Sequence, residues 1–346
     1  MYKNTAALAG ITPLSAALLP TPLYYLASLR QSLGDQCPHI LVKRDDLTGL
    51  SLGGNKARKL GYLLADARSK NADTIITCGA AQSNHALQTA MAARKFGFDV
   101  HCVLYGEPPD ADSLPTGNLL LHELTGTPIT WTTQTQSETR REQAMRRTMS
   151  LMEERLTNLG KRVYSIPVGG STAIGALGYV EAVQELTQQL DALSNVQISA
   201  IFFASGSGGT QAGMMAGAEM ARWNLKIIGV EIDPVPIDSC GISPYHRSVE
   251  RLTAETLTLL KIDKKQTTNT HQYESSYTGS AYGSSTPECK EALRLLASTE
   301  GVILDPVYTG KAMAALLGWI RSGRFSADET ILFWHTGGAA GLFASH

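Results

Sequence analysis

The sequence predicts an α/β protein of two lobes, built on two open, twisted, mostly parallel sheets with flanking helices. Three observations lead there. Apolar, β-branched runs alternate with helix-like segments along most of the chain, the pattern of parallel strands joined by right-handed crossovers. Glycine-rich loops follow several of these runs. In open α/β sheets ligands bind beyond the carboxyl ends of the strands, so these loops are expected to converge on one cleft. At 346 residues the chain is too long for one small domain and suits two α/β lobes.

The elements follow in order. Ile40 to Lys43 is strand-like and leads through a glycine-rich loop into a helix from Lys56 to about Lys70. The β-branched run Thr74 to Thr77 precedes Gly79-Ala80-Ala81-Gln82-Ser83-Asn84 and an alanine-rich helix to Phe96, which Ser83 or Asn84 would cap whatever its function. Val100 to Tyr105 is the next strand, 106–114 a loop, Gly117 to Leu124 a helix and Ile129 to Trp131 a strand. A polar, arginine-rich helix covers about Glu138 to Leu159, too polar to read as an interface. Tyr164 to Pro167 then enters Val168-Gly169-Gly170-Ser171. A helix from about Ala176 to Leu190 opens a second set. It contains a strand Ala200 to Ala204, a small-residue loop, a helix to Ala221 and a strand Lys226 to Ile232. Thr268 to Thr286, rich in Tyr, Ser and Gly, reads as an active-site loop. Helices over Glu288 to Gly301 and Lys311 to Arg321 and a strand Ile331 to Trp334 close the pattern.

Composition excludes several classes of function. The net charge is −1 and charged residues make up 18%, with both signs spread along the chain, so neither a nucleic-acid surface nor a membrane-binding tail is expected. No apolar run approaches the ~20 residues that span a bilayer. Met1 to Gly10 lack a basic segment followed by an apolar one, so no signal peptide is expected. Cys37, Cys78, Cys102, Cys240 and Cys289 are scattered and never form a C-x-x-C pair, so neither a disulfide framework nor a zinc site is expected and a reducing cytosol is the natural setting. Cys78 and Cys102 sit in apolar runs as small core residues. Cys240 lies in a loop beside Gly241, where exposure is expected.

Gly53-Gly54-Asn55-Lys56-Ala57-Arg58-Lys59-Leu60 is the most informative stretch. Its glycines let the backbone approach a ligand, and the helix mouth favours an anion. A lysine amine that sheds its proton near neutral pH can form a Schiff base with an aldehyde cofactor. Lys59 shares a helix face with Lys56. Two cations there repel, which lowers the pKa of the more buried one unless an anion sits beside them. The bland alternative is a basic first turn on a solvated helix.

Four further stretches carry chemistry. In Ser205-Gly206-Ser207-Gly208-Gly209-Thr210, between a strand and a helix, freed amides, the helix dipole and the hydroxyls of Ser207 and Thr210 suit a phosphate. A dinucleotide fingerprint is the rival, with Glu231 and Asp233 about 20 residues on, but Gln211 stands where the third glycine should fall. Gln82-Ser83-Asn84 at a helix start suits a substrate carboxylate, and His85 there reads as a surface or packing histidine rather than a base. Leu304-Asp305-Pro306-Val307-Tyr308-Thr309-Gly310-Lys311 and Trp334-His335-Thr336-Gly337-Gly338 each put a threonine at a turn beside glycine.

Taken together and in this order, Gly-Gly-Asn-Lys-x-Arg-Lys-Leu at 53–60, Gln-Ser-Asn at 82–84, Val-Gly-Gly-Ser at 168–171, Gly-Ser-Gly-Gly-Thr at 206–210, Asp-Pro-Val-Tyr-Thr-Gly-Lys at 305–311 and His-Thr-Gly-Gly at 335–338 resemble the D-cysteine desulfhydrase and 1-aminocyclopropane-1-carboxylate deaminase family. The resemblance runs from about Pro20 to Phe343. It implies the fold of the type II pyridoxal-phosphate enzymes, with the cofactor in a cleft between a large lobe (1–55 and 165–346) and a small one (56–164). It implies that Lys56 carries the Schiff base to pyridoxal 5'-phosphate, and that Lys59 with Ser207, Gly208, Gly209 and Thr210 holds the phosphate. Asn55, Asn84, Thr309 and Thr336 are its further cofactor contacts, the two threonines near the pyridine nitrogen. Gln82, Ser83, Asn84, Tyr282 and Tyr308 meet the substrate, and Ser83, Tyr282 and Tyr308 join Lys56 as catalytic candidates. A cytoplasmic homodimer acting on a small amino acid is the expected assembly, with no metal.

Thr309 and Thr336 point within that family. In the cyclopropane deaminases the first position is glutamate and the second typically leucine; this chain has threonine at both, as desulfhydrases do. A glutamate can hold the ring nitrogen protonated and make it a strong electron sink, whereas a hydroxyl only donates a hydrogen bond. Elimination of thiolate needs only the weaker sink. The expected reaction is α,β-elimination of D-cysteine to pyruvate, hydrogen sulfide and ammonia, with Lys56 as general base. The competing expectations are a sibling lyase or deaminase acting on L-cysteate, β-chloro-D-alanine or 1-aminocyclopropane-1-carboxylate, a dinucleotide-dependent oxidoreductase, and a non-catalytic binding protein.

Overall fold

The computed structural model describes residues 7–110, 112, 114–132, 138–194, 196–236, 243–263 and 271–344. Its strands form two sheets. The larger runs β1 (Leu23–Tyr25), β2 (His39–Arg44), β10 (Thr330–His335), β7 (Ala200–Ser205), β8 (Lys226–Glu231) and β9 (His271–Glu274) in spatial order. All its neighbours pair in parallel except β1 and β2. The smaller runs β5 (Ile129–Thr132), β4 (Asp99–Tyr105), β3 (Thr74–Ala80) and β6 (Val163–Ile166), parallel throughout. The central strands read as unbroken apolar runs because helices cover both faces: every residue of β7 is buried.

The helices pack as the sequence pattern demands. α2 (Lys56–Ser69) lies on α6 (Ala173–Ala192), and α6 on α7 (Gly209–Ala221), through glycines. A Cβ at Gly178 would sit 2.5 Å from the Arg58 carbonyl, and one at Gly213 would sit 2.4 Å from Ala176 O. Gly213, the glycine displaced from the dinucleotide pattern, is therefore a helix-contact residue. α3 (Asn84–Lys95) covers β3 and β4. α5 (Glu138–Asn158) packs on the same sheet and buries Met145, Met149 and Leu156 although its other face is polar. Cys37, Cys78, Cys102 and Cys289 are buried free thiols, and Cys240 lies outside the described residues.

Several elements were not expected. β1 and α1 (Ala27–Leu33) are short, and α1 has no side-chain cap. α8 (Pro244–Leu259) fills a stretch left without an element; Ser243 caps it and Val249, Leu252, Thr256 and Leu257 face inward. The segment expected to be a loop over 268–286 contains β9, an edge strand whose alternating His-Gln-Tyr-Glu lacks an apolar run. Residues 268–270 lie outside the described residues.

Candidate active site

The loops after β2, β3, β7 and β10 meet where the two sheets face one another, because β2, β10 and β7 are neighbours and their parallel strands end on one side. Gly53 and Gly54, at φ +78° and +131°, turn the chain into α2. A Cβ at Gly53 would come within 1.7 Å of Asp46 O, so only glycine fits. Asn55 precedes the helix but does not cap it. Its backbone N–H donates to Thr336 O at 2.9 Å, and its Nδ2 donates to Thr210 Oγ1 at 3.0 Å. Those two bonds tie three glycine-rich loops together.

Lys56 is the first residue of α2 and is half-buried. Its amine has no hydrogen-bond partner among the described residues. Burial lowers its pKa to about 8. Lys59, 1% exposed, donates to Gly169 O at 2.6 Å, with no carboxylate bridged to it among the described residues. Burial first, and Lys56 second, hold it well below the ordinary lysine value. The mutual effect expected of the two cations thus falls on Lys59, while Lys56 owes its shift to burial. A solvated basic turn is overturned: Ala57, Arg58, Lys59 and Leu60 are all buried.

Around Lys59 lies a cradle of small and hydroxyl residues. Gly208, at φ +80°, begins α7 without a side-chain cap. A Cβ at Gly209 would lie 2.6 Å from Lys59 Nζ and 2.7 Å from Ser171 Oγ. Ser171 donates to Ser207 Oγ at 2.9 Å and accepts from the Gly209 amide at 3.2 Å. A buried lysine amine, hydroxyls and a helix N-terminus in one place fit a phosphate, whose charge would favour the protonated amine. Both acids of the dinucleotide reading are engaged: Glu231 is paired with His246 Nε2 at 2.6 Å, and Asp233 accepts from the Tyr282 backbone.

On the other wall, Ser83 caps α3 by accepting from Ala86 N at 3.2 Å. Gln82 clasps the start of α4 (Gly117–Leu124): its Oε1 accepts from Asn118 N at 2.7 Å and its Nε2 donates to Thr116 O at 3.0 Å. One Nε2 proton is left for any substrate. His85 is a packed histidine. Thr77 donates to Ile166 O, so it accepts from His85 Nε2 at 2.9 Å. Burial, then Lys56 and Lys59, keep His85 neutral.

Asp305 organises the third wall. Its carboxylate accepts from the amides of Val307, Tyr308 and Thr309, each at 2.9 Å, and from Thr309 Oγ1 at 2.7 Å. Thr309 Oγ1 also accepts from Asp305 N at 2.9 Å, so its one proton is engaged away from a ring nitrogen. Thr336, 5% exposed, has a side-chain hydroxyl with no hydrogen bond among the described residues. The hydroxyls of Tyr282 and Tyr308 are bonded to each other, with rings edge-on at 6.2 Å. Burial raises both pKa values, so both remain phenols at neutral pH. Lys311 donates to Ile232 O at 2.8 Å and Thr278 O at 2.6 Å, anchoring the segment that carries Tyr282.

Asp305, Ser171 and Lys311 stood in the sequence motifs without a role of their own, and Asn118 stood in none. An aspartate three residues before a helix mouth was a readable capping signal; the other three are visible only through their tertiary partners. The set fits a phosphorylated aldehyde: an amine of lowered pKa lies beside a buried lysine, and among the described residues neither meets an acid.

Comparison with known proteins gives the same picture. Residues 14–337 match the family described as "Pyridoxal-phosphate dependent enzyme". Proteins named D-cysteine desulfhydrase from Salmonella schwarzengrund and Salmonella typhimurium are each 42% identical over 331 residues, 94% of this chain and 94% of theirs. A crystal structure of an ACC deaminase homologue matches with a TM-score of 0.83 at 36% identity, covering 97% of this chain and 94% of its own. A fungal L-serine ammonia-lyase from Rhizomucor miehei, with a TM-score of 0.60 at 17% identity over 94% and 93%, shares the fold.

Proposed function

The chain belongs to the pyridoxal-phosphate dependent enzymes, and from that premise we propose that it is a D-cysteine desulfhydrase, a carbon–sulfur lyase that converts D-cysteine and water to pyruvate, hydrogen sulfide and ammonia. The observation that carries the reading is the pair of lysines on one turn: among the described residues Lys56 has no hydrogen-bond partner and a pKa lowered to about 8, and Lys59 is buried with no acid. The D-cysteine desulfhydrases at 42% identity support the substrate. When bound, pyridoxal phosphate supplies an aldehyde that takes up amines and a conjugated ring that accepts an electron pair.

The chain's own residues do the rest. Lys59, Ser207, Gly208, Gly209 and Thr210, with Ser171, would hold the phosphate. Asn55 fixes Thr210 and the loop of Thr336. Thr336 would face the ring nitrogen, with Thr309 behind it on Asp305. Ser83 and Asn84, at the N-terminus of α3, would bind the substrate carboxylate and the ring hydroxyl, with Gln82 supporting them. Neutral Lys56 takes the α-proton and becomes an ammonium. The β-carbon–sulfur bond breaks with its electrons going to sulfur. Of the two phenols, one hydroxyl donates to the other, which leaves one proton of the Tyr282–Tyr308 pair to meet the departing thiolate.

The test supplies D- and L-cysteine separately and follows sulfide and pyruvate together. The expected result is equimolar sulfide and pyruvate from D-cysteine and none from a Lys56→Ala variant. Release by that variant, or turnover confined to L-cysteate, β-chloro-D-alanine or 1-aminocyclopropane-1-carboxylate, rejects the assignment.

The same reading makes the enzyme a cytoplasmic homodimer, in keeping with four buried free thiols; light scattering checks the mass. It divides the chain at 56 and 164 into two lobes. The two sheets support that division, with β6 moving the second crossing to just after Ile166. No helix among the described residues is long and apolar enough to cross a membrane.

A further inference from the structure

Asn118, the second residue of α4, is 1% exposed. Its Nδ2 donates to two oxygens, Gln82 O and Asn84 Oδ1, both at 2.8 Å. Two acceptors flank that atom, so it must be the NH2 end of the amide, and both its protons are spent. The turn that carries it is pressed into place. Gly117 sits at φ +59°, and a Cβ there would come 2.5 Å from Gln82 Oε1 and 3.1 Å from Ala340 O. The backbone N–H of Asn118 and the carbonyl of Thr116 hold both ends of the Gln82 amide. The turn is thereby locked to the residues just before Asn84.

The consequence falls on Asn84. With its Oδ1 held by Asn118, its Nδ2 faces the other way, toward Gly338, whose Cβ would lie 3.2 Å from it. Among the described residues nothing accepts from that nitrogen. It lies beside the turn of Thr336 and Asp305. We infer that Asn118 is a positioning residue that fixes the Asn84 amide so that it presents N–H, and never C=O, to the cleft. The inference rests on the proposed cofactor, whose ring oxygen would be the acceptor for that N–H. A donor there favours the ionised ring oxygen. A carbonyl there would favour the protonated one, so the visible spectrum of the bound cofactor reports the amide's orientation.

The test compares holoenzyme of the wild type, Asn118→Ala, Asn84→Ala and the double variant. In Asn118→Ala the band of the bound cofactor is expected to move toward the shorter-wavelength, protonated form, with a roughly three- to tenfold weaker hold on pyridoxal phosphate, the worth of one hydrogen bond. Asn84→Ala gives the same shift. The double variant shifts no further, because Asn118 acts through Asn84. Melting temperature is followed in parallel, and a loss there with an unchanged spectrum makes Asn118 structural only and overturns the inference. So does an additive spectral shift in the double variant. Should Asn118→Ala not fold, Asn118→Ser keeps one donor and is expected to show a smaller shift of the same sign; no shift overturns the inference. A wild type that takes up no cofactor on Lys56, shown by borohydride reduction and peptide mapping, refutes the proposed function instead.

Discussion

Lys56 and Lys59 differ by one turn of helix and by what surrounds each amine. With a pKa lowered by burial to about 8, Lys56 is neutral in roughly a tenth of molecules at pH 7. Only the neutral amine attacks an aldehyde, so uptake of pyridoxal phosphate by the cofactor-free protein is expected to speed up about tenfold per pH unit below 8 and to level off above it; stopped-flow absorbance between pH 6 and 9.5 checks this. The stability of the cofactor-free protein moves the same way. Below pH 8 the native state carries a costly buried charge. Between about 8 and the ordinary lysine value of 10.5 the unfolded chain binds the extra proton, so stability rises with pH there. On the proposed assignment Lys59 serves the phosphate alone. Lys59→Met is expected to weaken pyridoxal phosphate binding by about ten- to a hundredfold, the range of a hydrogen bond to a charged group, and to leave pyridoxal unaffected. Equal losses for both aldehydes would reject the assignment of Lys59. Both lysines were legible in the sequence as a motif. Which one is free and which is bonded was not, since Gly169 O comes from a loop 110 positions away.

α2 holds the lysines where they are because it is bolted from beneath. Arg58 donates to Asp45 at 2.8 Å and to Glu185 at 2.9 Å, with side chains 0% exposed on both sides, and Lys43 pairs with the same Glu185. Tyr179 donates to Asp45 Oδ2 at 2.6 Å. Two cations and two anions thus join β2, α2 and α6 two residues from Lys56. Arg58→Met leaves both carboxylates without that partner and is expected to cost about 3–5 kcal/mol, read from denaturant midpoints. Burial works against ionised Asp45, but Arg58 outweighs it and holds the carboxyl down at about 2. That contribution is fully present above about pH 4 and is lost as pH falls through about 2. Gly178→Ala would push α6 off the Arg58 backbone and is expected to cost about 1–3 kcal/mol. The central strands and most of the helices follow from apolar runs and helical periodicity. β9 and β1 did not: both are edge strands held by a neighbour's backbone, β9 without an apolar run and β1 only three residues long.

At the scale of the molecule, the proposed function makes the choice of reaction depend on which residues would face the cofactor ring. A Thr309→Glu, Thr336→Leu double variant is expected to lose sulfide release from D-cysteine relative to ring opening of 1-aminocyclopropane-1-carboxylate; an unchanged ratio would reject the electron-sink argument. Thr309 is bonded to Asp305, so the glutamate must also break that cap. Thr336→Leu alone should therefore cost less stability than Thr309→Glu, as melting temperatures would show. The sequence by itself determined the alternation of strands and helices, the glycine loops that end them and the lysine at a helix mouth, because each is a local property of a few adjacent residues. Tertiary structure alone decided the rest. Strand order brings the loops before Lys56, after β7 and after β10 into contact. The Gly169 carbonyl meets Lys59, and no carboxylate among the described residues does. Asp305 accepts from the Thr309 hydroxyl, and Asn118 turns Asn84 toward the cleft. A hydrogen bond needs its partner within about 3 Å and at the right angle, and for residues far apart in the chain only the packing of two sheets sets that distance.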